Sequence, residues 1–425
     1  MRSSPPSEGP RSGRSSVFFI LPLCFSMSQK PSILIAGAGI GGLTAALALL
    51  KRGFRVCVLE RAAELKEVGA GVQLSANAVR PLYRLGLESA LLSVASLPDG
   101  KRFRLWNSGQ TWKLFDFGAE SIAKYGVPYF TIYRADLHRI LVDAVRTMDP
   151  HAIQTNAHVI GVAQDGQGVH VTLADGTVHH ADVLIGADGV HSVVRKQTIS
   201  EDQATFSGCV AWRGVIPTER LPAHLREPLG VNWMGPGAHV VHYPLRRGEL
   251  TNFVGILEKD VWPEESWTTQ GSVEECLSDF AGWHEDVHTL ARSLQTPFIW
   301  ALMVREPMTN WTDRRISLLG DAAHATLPFM SQGAAMAIED GYVLARCLEQ
   351  YASDSYHALQ VYQNARIERT TRIVRGSSAN LGRFHNRTLA TPGAAEAYVD
   401  QEWSADRVRE RYEWVFSYDV DTVPL

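Results

Sequence analysis

Two side chains able to move a proton stand four residues apart in GPGAHVVHYPLRRGEL: His239 and Tyr243. The segment alternates as a β-strand does, so His239, Val241 and Tyr243 share one face while Val240 and His242 take the other. At ~3.3 Å per residue their Cα atoms lie roughly 13 Å apart, too far for a direct hydrogen bond but near enough for both side chains to lean toward one small ring. Taken alone, the pair reads more plainly as a strand face with satisfied local hydrogen bonds. A second group suits phosphate chemistry. In Gly37-x-Gly39-x-x-Gly42 the first glycine permits a tight turn, the second lets backbone approach a pyrophosphate, and the third allows close helix packing. Glu60 ends the next apolar run, placed to accept hydrogen bonds from an adenosine ribose. This fingerprint does not separate FAD from NAD. Two aspartates follow apolar runs farther on, Asp188 (with Gly189) in VLIGADGVHSVVR and Asp321 in LLGDAAHATLPFMSQGAAMAIED. Singly, each suits an ordinary turn or helix-cap role.

Positioning these residues calls for an α/β architecture. SILIAG, GIGGLTAALALLKRG and FRVCVLE read as a buried strand, a glycine-opened helix and a second strand, the start of a parallel sheet. KRFRLWNSG, TWKLFDFG and YFTIY alternate instead, as do CVAWRGVIP, AHVVHYPL and LTNFVGIL, which suits a half-exposed antiparallel sheet. VHVTLADGTVHHADVLIGADG reads as a hairpin around Asp175-Gly176, with VLIGA returning as a buried strand and His179-His180 as a surface pair near the strand end. The expected division is a discontinuous Rossmann-like dinucleotide-binding domain at 32–100, 132–196 and 305–350. An inserted β-rich substrate domain at 101–131 and 197–304 and a C-terminal helical region at 351–425 complete the chain, preceded by an extension over 1–31. No tandem repeat is visible.

The three motifs, in this order from Ser32 to about Gln350, resemble the set shared by class A flavoprotein monooxygenases, the p-hydroxybenzoate hydroxylase-like family. The resemblance implies FAD as cofactor, NADH or NADPH as a transient co-substrate, and ring hydroxylation through a C4a-hydroperoxyflavin. It implies FAD contacts from Gly37, Gly39, Gly42, Glu60, Arg61, Asp188 and Asp321. Arg134, in TIYRADLH, matches an arginine placed on the flavin nucleotide, and Gln73, in GAGVQLSANA, a position close to the flavin ring. Pro328 matches a proline held beside the flavin, and Ala334 and Ala335 a turn whose amides face it. The HxxxY spacing is similar to that of 3-hydroxybenzoate and 6-hydroxynicotinate hydroxylases, which assigns the catalytic deprotonation of a ring hydroxyl to His239 and Tyr243. Pro328 and Phe329 depart from those two patterns, which carry glutamine and histidine respectively at these places. SGCVAWRGVIP, HVVHYPLRRGE and YEWVFSYDVDTVPL look most like salicylate hydroxylase-type proteins.

The expected reaction is therefore hydroxylation of salicylate to catechol with loss of CO2. A 3-hydroxybenzoate or 6-hydroxynicotinate-type hydroxylase is the alternative, and a non-catalytic flavin-binding protein the alternative of another class. A substrate carboxylate needs a cation or several N–H donors in an apolar pocket, with Arg213, Arg246 and Arg247 as candidates.

Composition narrows the partners. With 41 Lys+Arg against 45 Asp+Glu, a net charge of -4 and no basic run, nucleic acid is not expected. Five cysteines without a C-x-x-C pair suggest neither a disulfide framework nor a metal site. No G-x-S-x-G or H-E-x-x-H motif is present, nor a second G-x-G-x-x-G unit for a separate NAD domain. Residues 1–26 join a basic stretch to the apolar run Val17 to Phe25, like a secretory signal but without its small-residue cleavage site. The preferred reading is an upstream extension before a start at Met27, and a cytoplasmic enzyme. The expected partners are a small aromatic substrate and O2, with no membrane and with a homodimer left open.

Overall fold

The computed structural model describes residues 1, 30–65, 70–260 and 270–425; the leader-like segment and the Met27 start lie outside them. SILIA, VLIG and ISL are apolar on both faces, so they belong in a layer covered on each side. They form the middle of a six-stranded sheet ordered Thr312–Asp313, Ile316–Leu318, Val183–Gly186, Ser32–Ala36, Arg55–Leu59 and Ile153–Gln154. All neighbours are parallel except the Thr312–Asp313 edge. The helices Ile40–Lys51, Arg134–Met148 and Gly333–Gln350 pack together beside it.

Register aligns the strand ends. Ala36 lies opposite both Gly186 and Leu59, and Gly186 opposite Leu318. The residues that follow, Asp321, Asp188, Gly37 and Glu60, therefore stand in one row at the carboxyl edge. At ~4.8 Å between strands the row spans roughly 14 Å.

The alternating segments build a seven-stranded sheet ordered Phe298–Val304, Thr205–Pro217, Leu250–Glu258, Ala238–Leu245, Leu229–Gly235, Gly100–Leu105 and Thr111–Asp116. Pairing sets Asn232 beside Phe103 and Val241, and Ile256 beside His239 and Ala211. Lys101, Phe103, Asn232, His239, Val241 and Tyr243 thus share the inner face. The outer face, with Trp212, Trp233 and Val240, packs in one core with residues of the helices Val273–Asp279 and Glu285–Arg292. One sequence expectation is corrected. Within 101–131, YFTIY does not extend this sheet: Phe130–Tyr133 pairs with Gly71–Leu74 in a separate two-stranded ribbon, and a helix, Ala119–Tyr125, precedes it. Phe130, Thr131 and Ile132 are consecutively buried, so they require cover on both sides that a half-exposed sheet cannot give.

The C-terminal region is helical. A 30-residue helix, Ser355–Phe384, lies against Gly333–Gln350, and Ala394–Glu402 and Ala405–Phe416 close over the inner sheet face in one apolar cluster with Phe103, Met234 and Ile256. Among the described residues no helix is long and apolar enough to cross a membrane.

His242 tests the outer face. Burial, aided by Arg104, pushes its imidazole down to about 3. The unfolded chain binds this proton near pH 6.5 and the folded chain does not. Stability is therefore full above pH 6.5 and declines as pH falls toward 3, by about 2 kcal/mol at pH 5 for this one group. Urea unfolding at pH 7 and pH 5 should show His242→Phe losing less stability on acidification than the parent, by about that amount; an unchanged slope would contradict a neutral buried His242.

Candidate active site

At the first strand end, Gly37 has φ +104°, and a Cβ there would lie 2.5 Å from the Ala187 carbonyl oxygen. A Cβ on Gly42 would lie 2.1 Å from the Gly37 carbonyl oxygen, whereas one on Gly39 would meet no protein atom within 4 Å. Two of the glycines thus serve chain packing and the third leaves an open front. Gly39 also caps Ile40–Lys51, whose first turn carries no acidic residue. Glu60 accepts from the Ala38 N–H and the Ala62 N–H, both at 2.9 Å. His138 meets the Ala38 carbonyl oxygen at 2.7 Å, pinning the loop from its other side. His138 escaped the sequence reading, although its i+4 spacing from Arg134 in RADLH was visible. Arg61 is exposed beside Glu60.

Asp188 spends its carboxylate on the chain itself, accepting from Ser192 Oγ at 2.5 Å and from the Val193 and Val194 N–H groups at 2.7 and 3.2 Å. That is the helix-cap role, and it leaves the Asp188-Gly189 backbone in the row. Asp321 is exposed at the start of the short helix Asp321–His324, with neighbouring protein partly desolvating its carboxylate. Burial raises its carboxyl pKa against the pull of His324 and Arg134. Arg134 lies deep on the same side, with Asp321 partly offsetting the cost of burying its charge. Pro328 is exposed and opens the short turn Pro328–Met330; Ser331 follows with φ +56°. Ala334 and Ala335 occupy the first turn of Gly333–Gln350, ahead of the Met336 N–H to Gln332 carbonyl bond at 2.8 Å. Their N–H groups have no partner within the helix.

An open glycine front at a helix N-terminus, an exposed acid and a half-buried cation that it influences fit the phosphates and polyol of a flavin dinucleotide. Beyond the Ser331 turn lies a small pocket, part of it open to solvent. Lys101, Phe103 and Asn232 of the inner sheet face line it, together with Tyr129, the Phe329–Gln332 turn, and Phe384, Tyr412 and Phe416 of the C-terminal helices.

A family profile described as an FAD binding domain matches residues 30–377. The chain belongs to that family. It is 35% identical over 93% of its length to the 3-amino-4-hydroxybenzoate 2-monooxygenase of Streptomyces platensis, covering 98% of that protein. The 3-hydroxybenzoate 6-hydroxylase of Polaromonas naphthalenivorans is 37% identical at the same two coverages. A salicylate hydroxylase substrate complex superposes with a TM-score of 0.76 and 27% identity, over 92% of this chain and 97% of that one. The protein is an FAD-dependent aromatic-ring monooxygenase that uses NAD(P)H and O2.

In this monooxygenase Gln73 joins the two halves of the site. Its Oε1 accepts from the Tyr129 hydroxyl at 2.9 Å and from Lys101 Nζ at 3.4 Å, while its Nε2 donates to Ser331 Oγ at 3.1 Å. His239 and Tyr243 share the sheet face but not their neighbours. Tyr243 lies over Gly71 and Asn252, where burial raises its phenol pKa against the influence of Arg213 and a hydrogen bond to Gln73. His239 packs on Phe329 and Phe384, ring centroids 5.1 Å away in each case. Its Nδ1 lies 2.7 Å from His385 Nε2, and His385 Nδ1 lies 3.1 Å from Glu258 Oε1, on the surface. Burial holds His239 well below the usual histidine range, with His385 and Lys101 adding to the effect; it brings His385 down to about 3, aided by Arg387. His385 sits in a polar helical tail, where nothing in the sequence pointed to it.

None of the three arginines expected at a substrate carboxylate lines the cavity. Arg246 makes a two-pronged ion pair with Asp136 at 2.8 and 3.0 Å, and Arg247 is exposed. Arg213 lies over the Trp300 ring, 4.1 Å from its centroid. Lys101 and Tyr129, which do line the cavity, were missed because KRFRLWNSG and VPYFTIY read as ordinary strand segments.

The glycines make a paired test. Gly39→Ala should leave apoprotein stability within about 1 kcal/mol and weaken FAD binding at least ~10-fold, because the new methyl points into the open front. Gly42→Ala should cost the apoprotein about 1–3 kcal/mol through overpacking. Urea unfolding and flavin fluorescence titration read both, and equal behaviour of the two variants would refute the division of roles.

Proposed function

We propose that this enzyme hydroxylates a single-ring aromatic acid that already carries a ring hydroxyl, of the 3-hydroxybenzoate type. The observation that carries this is the hydrogen-bonded line from His239 through His385 to Glu258. A phenolate is a far better ring nucleophile than a phenol, so the ring hydroxyl must lose its proton inside an aromatic enclosure. An imidazole kept neutral by burial is ready to accept at every working pH but does not retain a proton. The line through His385 gives that proton a way to a surface carboxylate. When bound, FAD would supply the electrophilic oxygen from O2 at the expense of NAD(P)H; Ser331 and Gln332 border both its expected place and the cavity. Phe103, Phe329 and Phe384 exclude water from the reacting ring, and Tyr243, held by Gln73, orders the flavin-facing side.

The relatives' names favour this reading over salicylate: they carry the hydroxyl at ring position 3 or 4, and salicylate carries it next to the carboxylate. Salicylate remains the second reading, on the strength of the salicylate hydroxylase neighbour. The test is a panel of 3-hydroxybenzoate, 6-hydroxynicotinate and salicylate, scored for stimulated NADH oxidation, O2 uptake and product mass. The expected result is one added oxygen on an intact acid. Catechol and CO2 from salicylate would transfer the assignment, and peroxide without product from all three would defeat it.

His239→Ala should lower hydroxylation at least ~100-fold, the scale of general-base contributions, while ligand-stimulated flavin reduction falls less than ~5-fold. Rapid-mixing absorbance separates the two half-reactions, and equal loss in both would remove His239 as the base.

A further inference from the structure

Resting on the ring-hydroxylase reading, we propose that Lys101 is the anion anchor of the substrate cavity and that its ammonium takes the carboxylate of the ring acid. Lys101 is half-buried and lines the cavity, where the surrounding protein desolvates its ammonium. Among the described residues its ammonium makes one hydrogen bond, the long 3.4 Å contact to Gln73 Oε1, and no carboxylate pairs with it. A buried ammonium without a counter-ion is costly, and such a charge is retained where a ligand supplies the missing partner. The neighbouring groups suit the ring and its hydroxyl. The Tyr129 hydroxyl points to the same Gln73 oxygen, and Asn232 Oδ1, on the adjacent strand, is buried with no partner among the described residues, free to accept from a ring substituent. Phe103 and Phe329 supply apolar surface around them.

The surroundings also give the anchor a pH signature. Burial brings Lys101 down to about 8. The titratable groups facing it are Tyr129 on the loop before Phe130–Tyr133, Tyr412 on Ala405–Phe416 and His239 on the neighbouring sheet strand. The two phenols are raised by burial and the imidazole lowered by it, so all three stay neutral near pH 8. Anion affinity is then full below pH 8 and falls as pH rises through it. Lysine replaced by arginine keeps its charge throughout.

The experiment titrates the FAD-loaded enzyme with 3-hydroxybenzoate and with uncharged 3-hydroxybenzamide, following the flavin absorbance, from pH 6.5 to 9.5. Lys101→Met should weaken the acid ~10- to 100-fold, the range of a charge-assisted hydrogen bond, and the amide less than ~3-fold. Lys101→Arg should restore most of the acid's affinity and remove its fall above pH 8. Unchanged flavin content in both variants shows that they fold. Equal weakening of acid and amide would overturn the proposal, as would loss of acid selectivity in Arg213→Met but not in Lys101→Met. If the parent hydroxylates 3-hydroxybenzoate and Lys101→Met keeps the parent's acid-to-amide ratio, the anchor fails and the ring-hydroxylase reading stands. If the parent binds neither ring, both fall together.

Discussion

Glu339 and Asp340 meet Arg366 and Arg369 in the interior, away from water, at 2.6 to 2.8 Å. Burial alone would raise both carboxyls; Arg369 and Arg366 reverse this for Glu339, and His324 and Arg366 do so for Asp340, bringing it down to about 2. Desolvating four charges costs several kcal/mol each, recovered only when every lone pair and N–H is used. The remaining oxygens are used on the active site's own backbone and side chains. Asp340 accepts from the Gly320 N–H at 3.1 Å and from His324 at 2.6 Å, beside Asp321. Glu339 accepts from Asn77 at 2.6 Å, and Asn77 also donates to Gln332 at 2.9 Å, ahead of Ala334 and Ala335. The cluster thus ties the long C-terminal helix to both segments expected to border the flavin.

A second constraint runs between the two sheets. The carboxyl edge of the parallel sheet holds the residues expected at the dinucleotide, while the inner face of the seven-stranded sheet holds the proposed proton path and one wall of the cavity. They communicate through Gln73, whose amide oxygen takes Tyr129 and Lys101 and whose nitrogen reaches Ser331. A single side-chain amide therefore reaches both the cavity wall and the Ser331 turn, with its donors and acceptors pointing opposite ways.

Charge is sparse in the cavity wall, which holds Tyr129 and Tyr412, and behind it, where His239, His385 and Tyr243 lie. His239, His385, Tyr129, Tyr243 and Tyr412 are all displaced by burial toward their neutral forms. In such surroundings one ammonium or one phenolate has a strong effect, since little water or counter-charge screens it. The chain's small net charge of -4 gives no long-range pull on an anionic acid, and attraction has to be built locally.

Much of this was legible in the residues. The glycine fingerprint, the apolar strands and the aspartates that follow them are local patterns, and a parallel sheet aligns their ends whatever the intervening chain does. Strand alternation likewise set His239 and Tyr243 on one face, because a pleat leaves no choice of side. Three things were decided only in the tertiary structure. Asp188 turned its carboxylate to Ser192 and the next helix because those donors lie closest. Tyr243 and His239 parted company because each meets a different wall, Gly71 in one case and Phe329 with Phe384 in the other. Lys101 and His385 became proposed site residues because the C-terminal helices, the longest of which ends at His385, closed over the inner sheet face, and burial between distant segments leaves no trace in the local pattern of a polar strand or tail.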